Sequence, residues 1–321
     1  MHRQRCRLYV GDCRDLLTQI PECVRGVVDL VFADPPFNWG RRYDRWDDAM
    51  PDADYCDVAQ SFGPPEDVRA FTQRWLDLCI ASLAPTGSLW VNIPDDWAAE
   101  IVVHLKLRGL HMVNWCIWHY RFGQNTTSRF INSKVHVLYF CKDPARRTWN
   151  PQAVLEPSDR ASTYADPRTL CKKDGMPPGL RVPMDVWYGP NLGRIQGNNK
   201  ERRDNHDNQL PEMYLARVLR ATSNPGDLVL DPFTGSGTTA VAATALGRRF
   251  IGCEYSPDLA RSALERVRLG PVRDLNAPLA ASAIAPKRPS ARPQGQPGTP
   301  DHAPADQART QAPRRRNRPG L

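Results

Sequence analysis

Two short motifs contain the residue types that could do chemistry, and each follows an apolar run. The first is Asp34-Pro35-Pro36-Phe37, directly after the run 27–33. The second is Asp231-Pro232-Phe233-Thr234-Gly235-Ser236-Gly237-Thr238-Thr239, after the run 228–230. Each pattern is typical of a buried strand that breaks into a tight turn. Ligands in open α/β sheets bind at the carboxyl ends of such strands, so both motifs are candidate ligand sites.

The first motif suits an amino group on a flat base. The lone pair of such a nitrogen is delocalised into the ring, which makes it a poor nucleophile. The Asp34 carboxylate and the Pro35 carbonyl could accept from both of its N–H groups, and consecutive prolines fix φ and remove donors. Phe37 could stack on the base, which is worth roughly 1–3 kcal/mol. The motif therefore predicts catalysis by positioning and electrostatics, whereas taken alone it also fits an ordinary turn.

The second motif suits close approach of backbone to a cofactor. Gly235 and Gly237 permit a sharp turn, and Thr238 begins a helix whose free N–H groups favour a carboxylate or phosphate. The lysine that a P-loop requires is missing. Glu254, at the end of the next apolar run, could accept from ribose hydroxyls. These features predict a nucleoside-bearing cofactor, and this motif alone leaves a nicotinamide dinucleotide open.

Apolar periodicity around the motifs predicts a sheet of seven strands that alternate with helices. The strand-like runs are 8–10, 27–33, 88–93, 112–120, 135–141, 228–230 and 250–253. The helical patterns are 66–83, 96–107, 210–222, 238–246 and a segment that begins at Ser256-Pro257. This alternation predicts a mostly parallel α/β sheet with helices on both faces.

Three segments lack such periodicity. We interpret 38–63 and 143–208 as substrate-facing insertions, because structureless loops beyond about 15 residues are usually functional; a plain linker is the alternative for the second. The tail 270–321 contains nine basic and three acidic residues and so carries most of the net charge of +8. We predict that it is disordered and either binds phosphates without sequence preference or is only a solvated tail.

The composition predicts a soluble, cytoplasmic protein. The chain has 321 residues, 41% hydrophobic and 24% charged, as globular proteins do. No apolar run approaches the roughly 18 residues of a membrane helix, and no apolar segment follows the basic N-terminus as in a signal peptide. Nine scattered cysteines without a Cys-x-x-Cys pair favour a reducing compartment and predict neither a disulfide framework nor a metal site.

The two motifs in this order resemble those of amino-group DNA methyltransferases, which methylate adenine N6 or cytosine N4 with S-adenosylmethionine. The resemblance covers roughly residues 8–268 and is to the permuted class, in which the catalytic motif precedes the glycine loop. It implies a Rossmann-like class I methyltransferase fold with one antiparallel strand. It also implies double-stranded DNA as substrate, a flipped target base and a nucleoid-associated enzyme. A restriction endonuclease is a candidate partner, and monomer and homodimer both stay open.

The resemblance also assigns roles to individual residues. Asp34, Pro35, Pro36 and Phe37 are the catalytic set, and Asp-Pro-Pro-Phe is associated in the family with adenine more than with cytosine. Gln209 is assigned to the cofactor-binding set because the segment 206–211 stands where the family often has His-Pro-x-Gln-Lys-Pro. The cofactor-binding set is Asp12, Gln209, Asp231, Phe233, Gly235, Gly237, Thr238 and Glu254.

Basic and polar residues elsewhere are candidates for DNA contact through phosphates and base edges. The candidates are Tyr120, Arg129, Arg194, Asn198, Lys200 and Arg202. We expect residues 1–142 to form the catalytic half, 143–205 the target-recognition region, 206–269 the cofactor-binding half and 270–321 the tail.

Three other functions share part of this pattern. A methyltransferase for RNA or for protein amines would use the same Asp34 and glycine loop. A nicotinamide oxidoreductase would account for Gly235 and Glu254 but leaves the first motif without a role. A non-catalytic DNA-binding protein would account for the basic tail, although it has no need for both motifs.

Overall fold

A computed structural model describes residues 5–37, 65–123, 125–164, 166–170, 176–189, 191–203, 206 and 208–277. All of them fall within one compact unit, residues 1–284. The predicted insertion 38–63 and the predicted tail beyond residue 277 lie outside the described residues. None of the helices in the described part of the chain is long and apolar enough to cross a membrane.

The structure is built from short strands and amphipathic helices. The strands are β1 (Cys6–Val10), β2 (Val28–Ala33), β3 (Leu83–Ile93), β4 (His111–His119), β5 (Lys134–Cys141), β6 (Glu156–Pro157), β7 (Leu180–Arg181), β8 (Val186–Trp187), β9 (Leu228–Asp231) and β10 (Arg249–Glu254). The α-helices are α1 (Cys13–Leu16), α2 (Pro21–Val24), α3 (Pro65–Ser82), α4 (Asp95–Leu107), α5 (Asp159–Ser162), α6 (Glu212–Thr222), α7 (Thr238–Ala245) and α8 (Pro257–Leu269).

The central sheet has the strand order β1-β10-β9-β2-β3-β5-β4-β8. Among the described strands of this sheet, β5 alone runs antiparallel to its neighbours β3 and β4, and the other pairs are parallel. The predicted mostly parallel sheet with one antiparallel strand is therefore confirmed. In the middle of the sheet β2 pairs with β9, where Val31 is opposite Leu230. Asp34 and Asp231 consequently leave the sheet at the same edge.

Side chains of the central strands alternate between the two faces, as a pleated strand requires. Leu30 and Phe32 pack in the core that includes Tyr214 of α6, whereas Val31 and Ala33 pack in the core that includes Trp75 of α3. Helices cover both faces, so the strands read as continuous apolar runs rather than as alternating ones.

The sheet differs from the prediction in having eight strands in the described residues instead of seven. The additional strand β8 pairs with Ile117 and Trp118 at the end of β4. It lies in the segment that sequence analysis interpreted as irregular, and two residues are too few to show an alternating pattern. The short antiparallel pair β6–β7 in the same segment escaped prediction for the same reason.

Element boundaries shift by several residues at two places. Strand β3 begins at Leu83 rather than at residue 88, and its register against β2 shifts between Val28 and Leu30. Residues 270–277, predicted to be tail, pack on the body, where Leu275 is 1% exposed. The few apolar residues of this segment, Val272, Leu275 and Ala277, stand among Gly, Pro, Arg, Asp and Asn and give no periodic signal, so the sequence pattern does not reveal this contact.

Candidate active site

A cavity of about 610 Å³ opens at the carboxyl edge of the sheet, where β2, β9, β10 and β1 end. The structure brings most residues of the predicted catalytic and cofactor sets together around it. The predicted residues that line it are Asp12, Asp34, Pro35, Pro36, Phe37, Asp231, Phe233, Gly235, Thr238 and Glu254. Among the described residues, no group of three or more His, Cys, Asp or Glu side chains is placed to hold a metal ion.

Asp34 is held by a hydrogen-bonded chain that reaches into the core. Its Oδ1 accepts from Asn92 Nδ2 at 2.6 Å, and Asn92 Oδ1 accepts from the Tyr214 hydroxyl at 3.1 Å. Burial raises the pKa of the Asp34 carboxyl to about 7, the Asn92 hydrogen bond lowers it, and the nearby Asp231 charge raises it. A carboxyl group with a pKa near neutrality in a cleft marks a candidate functional site.

Two further carboxylates organise the glycine loop. Glu254 Oε2 accepts from the Gly235 N–H at 2.8 Å, and Oε1 accepts from the Ser256 N–H at 3.0 Å. Asp231 Oδ1 accepts from the Phe233 N–H at 2.9 Å. Burial raises the pKa of both carboxyls, that of Asp231 to about 7. Each carboxylate has further lone pairs with which it can accept from a ligand hydroxyl.

Aromatic rings form the apolar wall of the cavity. Phe233 packs edge-to-face on buried Trp75, with ring centroids 5.2 Å apart. Phe71 also lines the cavity, and the Arg14 guanidinium lies 4.8 Å from its ring centroid. Arg14 is paired with Asp12, which also caps α1 by accepting from the Arg14 N–H at 2.8 Å. Flat apolar surface beside carboxylates fits a nucleoside.

The two glycines of the loop serve different purposes. Gly235 lines the cavity at φ +49°, and a Cβ there would lie 2.7 Å from His206 Nε2. Gly237 is outside the cavity lining: it precedes α7 at φ +76°, and a Cβ there would lie 2.8 Å from the Ala263 Cβ. Gly237 therefore permits close packing of α7 on α8 rather than close approach of a ligand.

Gly237→Ala is expected to lower the free energy of unfolding by about 2–4 kcal/mol, since it combines a left-handed conformation with overpacking. Urea unfolding measures the loss. Gly109→Ala is the matched control, because Gly109 has φ +84° and open space where a Cβ would stand. Equal losses in the two variants would show that the contact with Ala263 has no energetic weight.

Gln209, predicted to contact the cofactor, lies outside the cavity lining. Its side chain is buried and both polar atoms bond to backbone: Nε2 donates to the Glu201 carbonyl at 2.6 Å, and Oε1 accepts from the Arg203 N–H at 3.0 Å. These bonds hold residues 201 and 203 against residue 209. Between residues 203 and 209, His206 and Asn208 line the cavity.

Sequence reasoning did not find a buried ion pair behind the glycine loop. Arg266 is 1% exposed, and its Nη2 lies 3.1 Å from Glu212 Oε1. Its Nη1 donates to Thr238 Oγ1 at 2.8 Å and to the Ser236 carbonyl at 3.1 Å. Glu212 Oε2 also accepts from the N–H groups of residues 272 and 273, each at 2.9 Å. The pair thus links the loop, α6 and the segment after α8.

The predicted DNA-contacting residues are outside the cavity lining, and two of them lie beside each other. The Arg194 guanidinium is 6.0 Å from the Tyr120 ring centroid, and its Nη2 donates at 2.6 Å to Asn208 Oδ1, in the cavity wall. The other candidates are exposed: Arg129, Asn198, Lys200 and Arg202.

The raised pKa of Asp34 predicts a pH-dependent stability. Below about pH 4 the carboxyl is protonated in both the folded and the unfolded state. As the pH rises towards 7, the unfolded state ionises first, so the free energy of unfolding falls. Asp34→Asn is expected to remove this loss, so its stability advantage over the wild type grows between pH 4 and 7, on the order of 1.4 kcal/mol per pKa unit. Urea unfolding at several pH values measures it, and an advantage independent of pH would contradict the assignment.

With this geometry established, comparison with known proteins identifies the family. The DNA methylase family N6_N4_Mtase matches residues 28–265. The chain belongs to this family. Membership places it among the amino-group DNA methyltransferases, whose targets are adenine N6 or cytosine N4. That it belongs to the permuted class stays a prediction.

Individual methylases extend the likeness over most of the chain. The type II methyltransferase M.BamHI of Bacillus amyloliquefaciens is 32% identical over 251 residues, which are 77% of the chain and 54% of that protein. M1.MboII of Moraxella bovis is 31% identical over 265 residues, which are 80% of the chain and 94% of that protein. The chain thus spans about half of the first relative and nearly all of the second.

Solved structures confirm the methyltransferase fold. The M1.HpyAVI complex with S-adenosylmethionine superposes with a TM-score of 0.53 at 19% identity, over 82% of the chain and 98% of its own length. The cytosine-N4-specific PvuII DNA methyltransferase superposes with a TM-score of 0.55 at 16% identity, over 86% of the chain and 95% of its own. At these identities the likeness concerns the fold alone.

Proposed function

We propose that this protein transfers a methyl group from S-adenosylmethionine to the N6 amino group of adenine in double-stranded DNA. One observation supports the proposal above all others. Asp34, a half-buried acceptor in the Asp-Pro-Pro-Phe turn, shares a single cavity with the glycine loop and Glu254. An acceptor for an amino group and a nucleoside-binding wall are the two parts that such a reaction requires.

The residues of the cofactor half fit S-adenosylmethionine. The adenine ring fits between Phe233 and the wall that includes Asp12, and Glu254 is an acceptor for ribose hydroxyls. The start of α7 at Thr238 offers N–H groups to the methionine carboxylate. When bound, the cofactor supplies an electrophilic sulfonium methyl group. Gly237 and Gln209 support this half as scaffold.

The residues of the catalytic half act on the base. Flipping brings the target base out of the duplex at a cost of a few kcal/mol. The base stacks on Phe37, while Asp34 and the Pro35 carbonyl accept from its two amino N–H groups and Pro36 keeps the turn rigid. These contacts favour the tetrahedral nitrogen of the transition state over the planar one of the ground state.

The DNA-binding part of the proposal rests on charge and position. Tyr120 and Arg194 adjoin the cavity wall, and Arg129, Asn198, Lys200 and Arg202 supply exposed groups for phosphates and base edges. Residues 143–205 are proposed as the target-recognition region, between a catalytic half and a cofactor half. The basic tail adds weak attraction to phosphates. A nucleoid-associated cytoplasmic enzyme, alone or with a restriction endonuclease, fits this chemistry.

Adenine is proposed over cytosine because of the Asp-Pro-Pro-Phe motif. Cytosine N4 is the second candidate, because the family includes both targets and the PvuII enzyme acts on cytosine N4. The same fold and mechanism would serve either base.

Nucleoside mass spectrometry of DNA from a methylation-free host that expresses the protein tests the function. We expect N6-methyladenine with the wild-type protein and none with Asp34→Ala. Detection of N4-methylcytosine instead would leave the proposed mechanism unchanged and identify cytosine as the target base. DNA without a modified base, from a host that contains folded protein, would overturn the proposal.

A further inference from the structure

We propose that Asn92 and Tyr214 are positioning residues for catalysis, which hold Asp34 with one carboxylate oxygen turned towards the target base. The inference rests on the proposed function, since Asp34 is the acceptor for the amino group. Hydrogen bonds connect buried Tyr214 on α6 through buried Asn92 on β3 to half-buried Asp34 at the end of β2.

The two hydrogen bonds of Asn92 determine its orientation. A carboxylate can only accept, so the Asn92 group at 2.6 Å from Asp34 Oδ1 is the NH₂. The Asn92 carbonyl oxygen then faces the Tyr214 hydroxyl at 3.1 Å, which must donate. The carboxylate thus fixes the amide, because reversing it would set the Asn92 carbonyl oxygen against the Asp34 carboxylate, two acceptors without a donor between them.

Tyr214 is well suited to be the fixed end of this chain. Its side chain is fully buried, and burial followed by the charge of Asp34 raises the pKa of its hydroxyl well above the ordinary value. It therefore stays a neutral donor over the working pH range. Its ring packs against Trp118 and Trp187, with centroids 5.2 Å and 5.4 Å away. Trp187 belongs to β8, so the proposed target-recognition region packs directly on this anchor.

The hydrogen bonds from Tyr214 through Asn92 to Asp34 have two consequences for Asp34. Asn92 occupies Oδ1, which leaves Oδ2 to accept from the base. Donation from Asn92 also favours the ionised carboxylate, whereas burial and the charge of Asp231 on β9 favour the protonated one. A protonated Asp34 would present a donor to an amino group, so the Asn92 hydrogen bond opposes the unproductive state. The other titratable groups in the cavity wall are Asp12, Cys13, His206, Cys253, Glu254, Tyr255 and Asp258.

Single-turnover methylation of plasmid DNA from a methylation-free host tests the positioning role in Tyr214→Phe and Asn92→Leu. We expect rates at pH 7.5 to fall about tenfold in the first and about 100-fold in the second, as one or two buried hydrogen bonds are lost. S-adenosylmethionine should bind within about twofold of wild-type affinity. The acidic limb of the pH–rate profile should shift to higher pH in Asn92→Leu.

Tyr139→Phe is the matched control, because it removes a buried hydroxyl from the same aromatic core, where Tyr139 stacks on Trp90. Three results would overturn the inference by assigning Asn92 and Tyr214 a merely structural role. The first is a comparable rate loss in Tyr139→Phe, and the second is a loss of cofactor affinity that accompanies the rate loss in Tyr214→Phe or Asn92→Leu. The third is a pH–rate profile of Asn92→Leu that is the same as that of the wild type.

A second readout separates this inference from the proposed function. Carbon NMR of Asp-labelled protein follows the ionisation of Asp34, assigned with Asp34→Asn, without DNA. We expect a higher pKa for Asp34 in Asn92→Leu than in wild type. An Asp34 pKa that is the same in Asn92→Leu and wild type would overturn the Asn92–Asp34 link, even if the enzyme is active. If the wild type methylates no DNA but the Asp34 pKa is higher in Asn92→Leu, only the proposed function is refuted.

Discussion

Asp34→Ala is expected to lower the rate of methyl transfer by about 10²–10⁴-fold, the usual range for removing a positioned group that acts on the transition state. The substitution removes the acceptor that pulls the amino nitrogen towards tetrahedral geometry. Cofactor affinity should change by less than about twofold, because the cofactor wall is built by Phe233, Glu254 and the glycine loop. Rapid-quench single turnovers and calorimetric titration with S-adenosylmethionine measure the two quantities.

Asp29→Asn is the control for effects on the same strand. Asp29 lies on β2 and accepts from the Leu228 N–H at 2.7 Å, outside the cavity lining. Its amide replacement can still accept, so methyl transfer should stay near the wild-type rate. Turnover of Asp34→Ala at the wild-type rate would show that the catalytic motif is assigned wrongly.

The parts of this site that follow from local sequence are the strand ends and their turns. Asp34 and Asp231 each follow a run of buried residues, and the parallel α/β alternation places both at one edge of the sheet. The adjacency of β2 and β9 cannot be derived from local sequence. Nearly 200 residues separate the two strands, and no local pattern determines which strand pairs with which. The spacing of the apolar runs does not determine which strands pair. The resemblance to a known family implied the Rossmann-like sheet.

The positioning residues are harder to find from sequence, for different reasons. Asn92 gives a signal, since a polar side chain in the apolar run 88–93 needs a buried partner. Tyr214 gives none, because a tyrosine on an amphipathic helix reads as ordinary core. Glu212 and Arg266 mislead, because charged residues on such helices normally mark the solvent face. Their burial becomes visible only when α6 and α8 are packed together.

Arg266→Met is expected to lower the free energy of unfolding by about 3–5 kcal/mol, because it leaves the Glu212 carboxylate buried without its cation. Urea unfolding measures the loss. The exposed pair Arg261–Asp258 on α8 provides the control, since both of its side chains are more than half exposed. Arg261→Met should cost less than about 1 kcal/mol, as surface pairs do.

The double variant Glu212→Gln, Arg266→Met separates stability from function. A neutral glutamine still accepts from the N–H groups of residues 272 and 273, so we expect most of the lost stability to return. Cofactor affinity should stay about tenfold below wild type, because Thr238 Oγ1 and the Ser236 carbonyl have lost the donor that holds the glycine loop. A double variant as unstable as Arg266→Met would show that the uncompensated carboxylate is not the cause. Full recovery of cofactor affinity would show that the loop keeps its geometry without Arg266.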